Sequence, residues 1–331
     1  MPQELHNSIL KKANVSNLIC TSHINIGYLT GTEGESGMLL ITKKGLELYV
    51  HDLMRESAEN TANENVSIFP ISNFVERMKK IKKCGFECKH VSVKEFSLWK
   101  KRYKNTKFVQ ADGIIEEFRR GKSIEEIKKF KKAQSITKDL LSQVPRLLKR
   151  GVTESFVAEE LRRLAIDAGA EGLSFPPIVA FGTNSSRPHH LPSNRKLKKG
   201  MLVQIDVGAK YKGFCADQSR VFWTGKKTSD QAIAYKAVKE AQTEAKKAVK
   251  AGVTNHMLFK IACNVLEKYG MREEFIHSLG HGVGLEVHEG INLSDKAPKT
   301  KLKAGEIITI EPGVYFEGKF GIRLEEEVIV K

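Results

Sequence analysis

Long apolar runs are missing from this 331-residue chain. No stretch approaches the roughly 20 apolar residues of a membrane-spanning helix. The opening MPQELHNSILKK has no signal-peptide core, so a cytoplasmic location is expected and no membrane partner. Cysteine is sparse: five residues, an odd number without framework spacing, which excludes a disulfide scaffold. Cys84 and Cys88 in CGFEC lie close enough for a metal or redox pair, but unpaired thiols are the expectation. A serine nucleophile lacks its setting, because Ser185 and Ser186 stand in GTNSSRP and not in a Gly-x-Ser-x-Gly elbow. Acids are the minority charge, 39 against 55 Lys and Arg, for a net charge of +16. The basic residues are spread along helical stretches (Lys128, Lys129, Lys131, Lys132; Lys246, Lys247, Lys250) with a single aromatic, Phe130, among them. That is the pattern of a solvated surface and not of a stacking platform, so nucleic acid is not the expected partner.

What is present suffices for two ordinary domains, with a hydrophobic fraction of 40%. In the first, NLICTS (17–22) reads as a strand, and GMLLITKKGLELYV (37–50) as a hairpin turned at Lys43-Lys44-Gly45. Phe74 to Lys83 reads as a helix. His23, His51 and His90 stand alone, without ligand spacing. The pattern changes near Asp112-Gly113, giving expected domains 1–115 and 116–331. Beyond it, Ser123-Ile-Glu-Glu126 is a capping box opening a helix to about Val144. Thr153 caps a second helix with Phe156, Val157, Leu161 and Leu164 on its apolar side. FPPIVAFGTNSSRPHHLP (175–192) reads as a broken loop carrying His189 and His190. Two further helices follow, Asp230 to Lys250 and Thr254 to about Tyr269.

The acids that matter lie in two places. GMLVQIDVGAKYKGFCAD (200–217) reads as a β-hairpin with its turn at Val207-Gly208 and with Asp206 and Asp217 among buried positions. A buried carboxylate costs several kcal/mol unless a cation or donors meet it. GEIITIEPGVYFEGKFGIRLE (305–325) repeats the pattern. Gly200 and Gly305 each precede an acid by six residues, Asp206 and Glu311, and each hairpin ends on a second acid, Asp217 and Glu325. Upstream, KRGVTESFVAEELRRLAIDAG (149–169) is similar to KAGVTNHMLFKIACNVLEKYG (250–270). The chain from about residue 120 therefore reads as two copies of helix, helix, hairpin. Joined face to face, they would bring four carboxylates to one shared sheet. Hard divalent cations take such oxygens together with imidazole nitrogen. HSLGHGVGLEVHEG (277–290) supplies histidines: His281 and His288 sit among glycines that allow close backbone approach, with His277 beside them.

IDVGAKYKGFCAD, HSLGHGVGLEVHE, ITIEPG, GIRLEEE and RPHHLP together resemble the pita-bread metallopeptidases, the family of methionine aminopeptidase, Xaa-Pro aminopeptidase, prolidase and creatinase. NIGYLTG (25–31) resembles the creatinase-type N-terminal domain. The resemblance implies an α/β (α+β) chain: a creatinase-like α/β domain, then a pita-bread domain with an internal pseudo-twofold repeat. It implies two divalent metal ions, Mn²⁺ first and Co²⁺, Fe²⁺ or Zn²⁺ as alternatives. Asp206 would chelate one metal, Asp217 and Glu325 would bridge both, and His281 and Glu311 would complete the other site. Glu311 would also hold the attacking water and take its proton, leaving a metal-bridging hydroxide to attack the scissile carbonyl. His189 and His288 would bind substrate and stabilise the tetrahedral intermediate, and Arg323 would stand beside the bridging acids. A homodimer is expected.

Creatinase lacks the metal ligands, all five of which are present here. Methionine aminopeptidases usually lack the N-terminal domain and carry an Asn-Glu run where this chain has Asn184-Ser-Ser-Arg-Pro-His189. This points to the Xaa-Pro branch, with a peptide bearing proline at its second position as substrate. Some prolidases place an Arg shortly after the VHE motif to meet a dipeptide's carboxylate, and here Asn292 stands there. Xaa-Pro aminopeptidase action is therefore expected ahead of Xaa-Pro dipeptidase action. The expectation from another class is a non-catalytic binding module for protein or nucleic acid.

Overall fold

The computed structural model describes residues 5–32 and 37–331. The chain divides between Phe118 and Arg119 into two compact units. The first is built on a six-stranded sheet in the order Val66–Pro70, Gly45–Val50, Gly37–Thr42, Asn17–Cys20, Lys83–Phe86, Lys107–Gln110. Gly37–Thr42 is antiparallel to both its neighbours, and the outer pairs are parallel. Successive side chains of a strand face opposite ways. Leu18, Leu39 and Ile41 enter one apolar cluster, while Ile19, Leu40 and Tyr49 enter another. Both faces are therefore covered. The helix read over 74–83 is shorter, Asn73–Lys79. Lys83–Phe86 is instead a strand parallel to Asn17–Cys20, with Cys84 and Phe86 buried. Tertiary pairing of this short apolar run prevails over its helical continuation. All five cysteines are free thiols. Cys88 Sγ donates to Asp112 Oδ2 at 2.6 Å.

The second unit carries the internal repeat. Ile124–Leu147 and Glu154–Asp167 precede the first set of strands, and Ser229–Lys247 and Asn255–Lys268 precede the second. Ser123 closes its capping box, and Thr153 and Thr254 each accept the backbone N–H three residues on. Ile124–Leu147 buries Phe130, Ala133, Ile136, Leu140, Leu141 and Val144, one face at three- and four-residue spacing. Each large side chain so buried contributes about 1.5–3 kcal/mol. Phe156 departs from the expectation and is 51% exposed, while Val157 and Leu161 enter the core.

Each hairpin is two strand pairs joined by a kink. In the first, Leu202–Val207 pairs with Gln218–Trp223, and Ala209–Tyr211 continues against Phe214–Cys215. The turn lies at Lys212-Gly213, both at positive φ (46° and 78°), and not at Val207-Gly208. Gly208 is the kink: a Cβ there would lie 1.7 Å from the Ala216 carbonyl oxygen, so the backbone passes only without a side chain. In the second, Ile307–Ile310 pairs with Glu326–Ile329, and Gly313–Phe316 with Phe320–Arg323. Ile178–Phe181, inside the stretch read as a loop, is a strand antiparallel to Leu202–Val207. His281–Gly282 flanks Ile307–Ile310 in the other half. The two halves do not form one shared sheet. They meet where the Glu325 N–H donates to the Ser219 carbonyl (3.1 Å) and the Gln204 amide bonds both the N–H and the C=O of Arg323.

Candidate metal centre

The kinks of the two hairpins deliver the acids. Asp206 is the penultimate residue of the first strand of its hairpin, Leu202–Val207, and Glu311 follows Ile307–Ile310. Asp217 and Glu325 occupy the interruptions of the returning strands. One oxygen each from Asp206, Asp217 and Glu325 lies within 4.8 Å of the others; the same holds for the ligand atoms of His281, Glu311 and Glu325, and for those of Asp217, His281 and His288. Asp217 and Glu325 each belong to two of these sets. His281 Nε2 stands 3.3 Å from Glu311 Oε1 and 3.6 Å from Asp217 Oδ2. Its Nδ1 donates to the Gly282 carbonyl at 3.1 Å. A carbonyl only accepts, so the proton is on Nδ1 and Nε2 turns a lone pair to the acids.

That arrangement repels itself without a cation. Asp206 Oδ1, Asp217 Oδ1 and Glu325 Oε1 are buried with no hydrogen-bond partner. Burial and the neighbouring carboxylates push Asp217 and Glu325 well above the usual carboxylate range. Burial first, with Asp206 adding to it, raises Glu311 to about 7. Burial, then His288, depresses His281 to about 3. Orphan oxygens, four carboxylates and a neutral imidazole form a donor set that fits divalent cations. Neither Cys84 nor Cys88 joins a cluster of ligating groups among the described residues.

The cluster lies in a cleft of about 750 Å³ whose lining includes Phe175, Pro188, His189, His277, His288 and Asn292. His189 and His288 are exposed, while His190 is buried. The His281 and His288 rings meet edge-on at 4.0 Å between centroids. Arg323 sits beside Asp206, with its NH2 2.5 Å from Oδ2, and close enough to Glu325 for its charge to be felt there. Its NH1 donates to the Tyr315 hydroxyl (2.8 Å), which lies 3.1 Å from His277 Nε2. Because His277 Nδ1 donates to the Ser278 carbonyl, Nε2 accepts from Tyr315. Burial, reinforced by Arg323, keeps His277 at about 4, a neutral ring at ordinary pH. Ser185 is a loop tie: it donates to the Gly182 carbonyl and accepts from Gly321 N–H.

Several residues that build the site escaped the sequence argument. Glu154 is fully buried and accepts from Phe181 N–H (2.7 Å), Asn184 Nδ2 (2.8 Å), His190 Nε2 (2.8 Å) and Ser193 N–H and Oγ (3.0 and 2.5 Å). It anchors the loop that carries His189. Its counterpart in the second half is Asn255, also fully buried, whose Nδ2 donates to the Asn292 carbonyl at 2.9 Å. In sequence Glu154 looks like an ordinary first-turn acid; the one signal is that it takes the place of Asn255 in the repeat. Glu327 accepts from the Asp217 N–H (2.8 Å) and Gln218 Nε2 (2.6 Å), fixing the backbone beneath that acid.

Residues 128–331 match Metallopeptidase family M24, and residues 5–120 match the Creatinase/Prolidase N-terminal domain. The chain is 34% identical over 325 residues to a Xaa-Pro dipeptidase of Pyrococcus horikoshii, covering 97% of this chain and 92% of that protein. It superposes on a Xaa-Pro dipeptidase from Bacillus anthracis with a TM-score of 0.94 at 30% identity, covering 98% and 93% of the two chains. For an X-Pro aminopeptidase from Thermotoga maritima the TM-score is 0.88 at 31% identity, with coverage of 98% and 95%.

Proposed function

We propose, from the premise that this chain belongs to metallopeptidase family M24, that it hydrolyses the Xaa-Pro bond at the N-terminus of peptides. One observation carries the proposal: a buried, cation-starved set of four carboxylates and one imidazole forms the floor of an open cleft. The chain around it is similar, over nearly its whole length, to proteins named for Xaa-Pro cleavage.

In this proposal Asp206 would hold one divalent metal ion, His281 and Glu311 would hold a second, and Asp217 and Glu325 would serve both. Bound divalent metals would polarise the scissile carbonyl and make an ionised water available near neutral pH. Glu311 takes the proton of the attacking water. His189 and His288, exposed at the cleft, bind the substrate and donate to the oxygen on which negative charge develops. Arg323 balances and orients Asp206 through their short ion pair. Tyr315 and the neutral His277 hold the other side of that guanidinium. Manganese as the working metal, a homodimer and a cytoplasmic location belong to the proposal on the family resemblance.

Aminopeptidase action leads because Asn292, at the cleft, is neutral and offers no cation to a dipeptide's carboxylate. Dipeptidase action is the second reading, favoured by the names of the Pyrococcus and Bacillus relatives. The deciding experiment compares Ala-Pro with Ala-Pro-Ala as substrates of the Mn²⁺-loaded protein. Faster cleavage of the tripeptide is expected. Cleavage of the dipeptide alone would make the enzyme a dipeptidase, and cleavage of neither by metal-replete protein would favour the binding-module reading.

A further inference from the structure

A buried group of charges lies directly behind His288. Glu289 follows it in sequence, with its side chain 3% exposed. Lys122 Nζ meets Glu289 Oε1 at 2.7 Å, and Arg119 NH2 meets Oε2 at 2.5 Å while also bonding Glu286 Oε2 at 2.8 Å. The Glu286 N–H donates to Glu289 Oε2 at 3.2 Å, closing the loop around His288. The Lys122 and Arg119 side chains are 3% and 2% exposed. There is no slack: a Cβ on Gly284 would lie 2.3 Å from Glu289 Oε1 and 2.9 Å from Lys122 Cε. The segment that carries the cations is itself fixed from the other side. Lys122 N–H donates to the Gly305 carbonyl at 3.0 Å, and Arg120 bonds Glu306 at 2.6 and 3.1 Å and the Lys301 carbonyl at 2.9 Å.

His288 is held quite differently. Its ring makes no hydrogen bond among the described residues and is exposed at the cleft, edge-on to His281. The position of its imidazole therefore follows from the backbone on either side. A buried ion cluster is a weak device for stability, since apolar side chains of similar volume often do as well. What it does provide is a fixed geometry. We propose that Glu289, clamped by Lys122 and Arg119, is a positioning residue that holds the His288 imidazole against the cleft. This rests on the assignment of His288 as a substrate-facing group.

A double-mutant cycle tests it on the full-length, Mn²⁺-loaded protein, with kcat and KM on the better of the two peptides, bound metal and Tm measured for each variant. His288→Ala is expected to lower kcat by about 100-fold, the loss of one transition-state donor. Lys122→Met should lower kcat by about tenfold, in the range of lost outer partners, with KM and bound metal near wild type. Lys122→Arg should recover most of that loss. In the His288→Ala background Lys122→Met should cost nothing further, because its effect passes through a ring no longer present. An equal cost in both backgrounds, or unchanged kcat in Lys122→Met, would overturn the proposal. Full activity in His288→Ala would remove the role of His288 itself, and the proposal with it. Glu289→Gln, which keeps the side chain's shape, carries the same cycle if Lys122→Met does not fold.

Discussion

The buried carboxylates of the second unit occur in two kinds of surroundings. Glu154 and Glu289, under the loops that carry His189 and His288, are met by donors on every side. Their pKa values are held below the usual range: burial opposes this, but His190 and Ser193 for the first, and Lys122 and Arg119 for the second, prevail. Asp217, Glu325 and Glu311, on the cleft floor, are pushed the other way by burial and by neighbouring carboxylates, Asp206 among them in each case. The difference separates architecture from chemistry. A buried acid whose donors are all present is part of the scaffold, and one left with an orphan oxygen beside other acids is waiting for a cation.

The largest effect should come from removing a starved acid. Asp217→Ala or Glu325→Ala takes away an oxygen shared by two ligand sets. Activity should fall by more than about a thousandfold, beyond the 10–100-fold typical of outer partners. Bound metal, counted by elemental analysis, should fall with it. The fold should survive, because deleting one of several repelling acids relieves the metal-free protein. Normal turnover in either variant would end that residue's assignment as a ligand.

Metal removal should come next, and its size should depend on pH. An acid whose pKa is raised in the folded state binds more protons there than in the unfolded chain. For Glu311 that window runs from its ordinary value to about 7. The metal-free protein therefore loses stability as pH rises through it, whereas bound cations favour the ionised acids. Chelation should lower Tm by little at pH 5 and by roughly 5 °C or more at pH 8, read by thermal unfolding with and without metal. A Tm gap that narrows as pH rises would show that the cluster is ionised and satisfied without metal.

How much of this was legible in the sequence follows the same division. The starved acids announced themselves, because Asp206, Asp217, Glu311 and Glu325 interrupt apolar strands at matching places in a repeat. Helix starts were legible from Ser123, Thr153 and Thr254, since capping is local chemistry. The kink at Gly208 was misread as a turn because a glycine pressed against a distant carbonyl looks the same as one in a tight bend. The strand Ile178–Phe181 was hidden by the prolines before it and by a partner more than twenty residues away. The satisfied acids were invisible for a related reason. Glu154 and Glu289 differ from surface acids only in partners from remote segments, Arg119 and Lys122 among them.

The last expected effect, on stability and not on metal binding, probes a satisfied acid. Glu154→Gln keeps the side chain's size but turns one accepting oxygen into a donor facing other donors. The cost should be about 2–4 kcal/mol, the range for breaking a buried charged network while keeping its shape. Urea unfolding at pH 7 reads it. The sign of its pH dependence opposes that of the cleft floor. Since the folded-state pKa of Glu154 is depressed, its contribution is fully present above the ordinary carboxylate value and is lost as pH falls through the folded value. Wild-type and Glu154→Gln stabilities should therefore converge toward acid, while the metal-free and metal-loaded curves diverge toward base. Measured in one protein, the two trends separate the acids that build the loops from those that await a metal, and a Glu154→Gln deficit that stays constant from pH 7 to pH 3 would place Glu154 outside the first group.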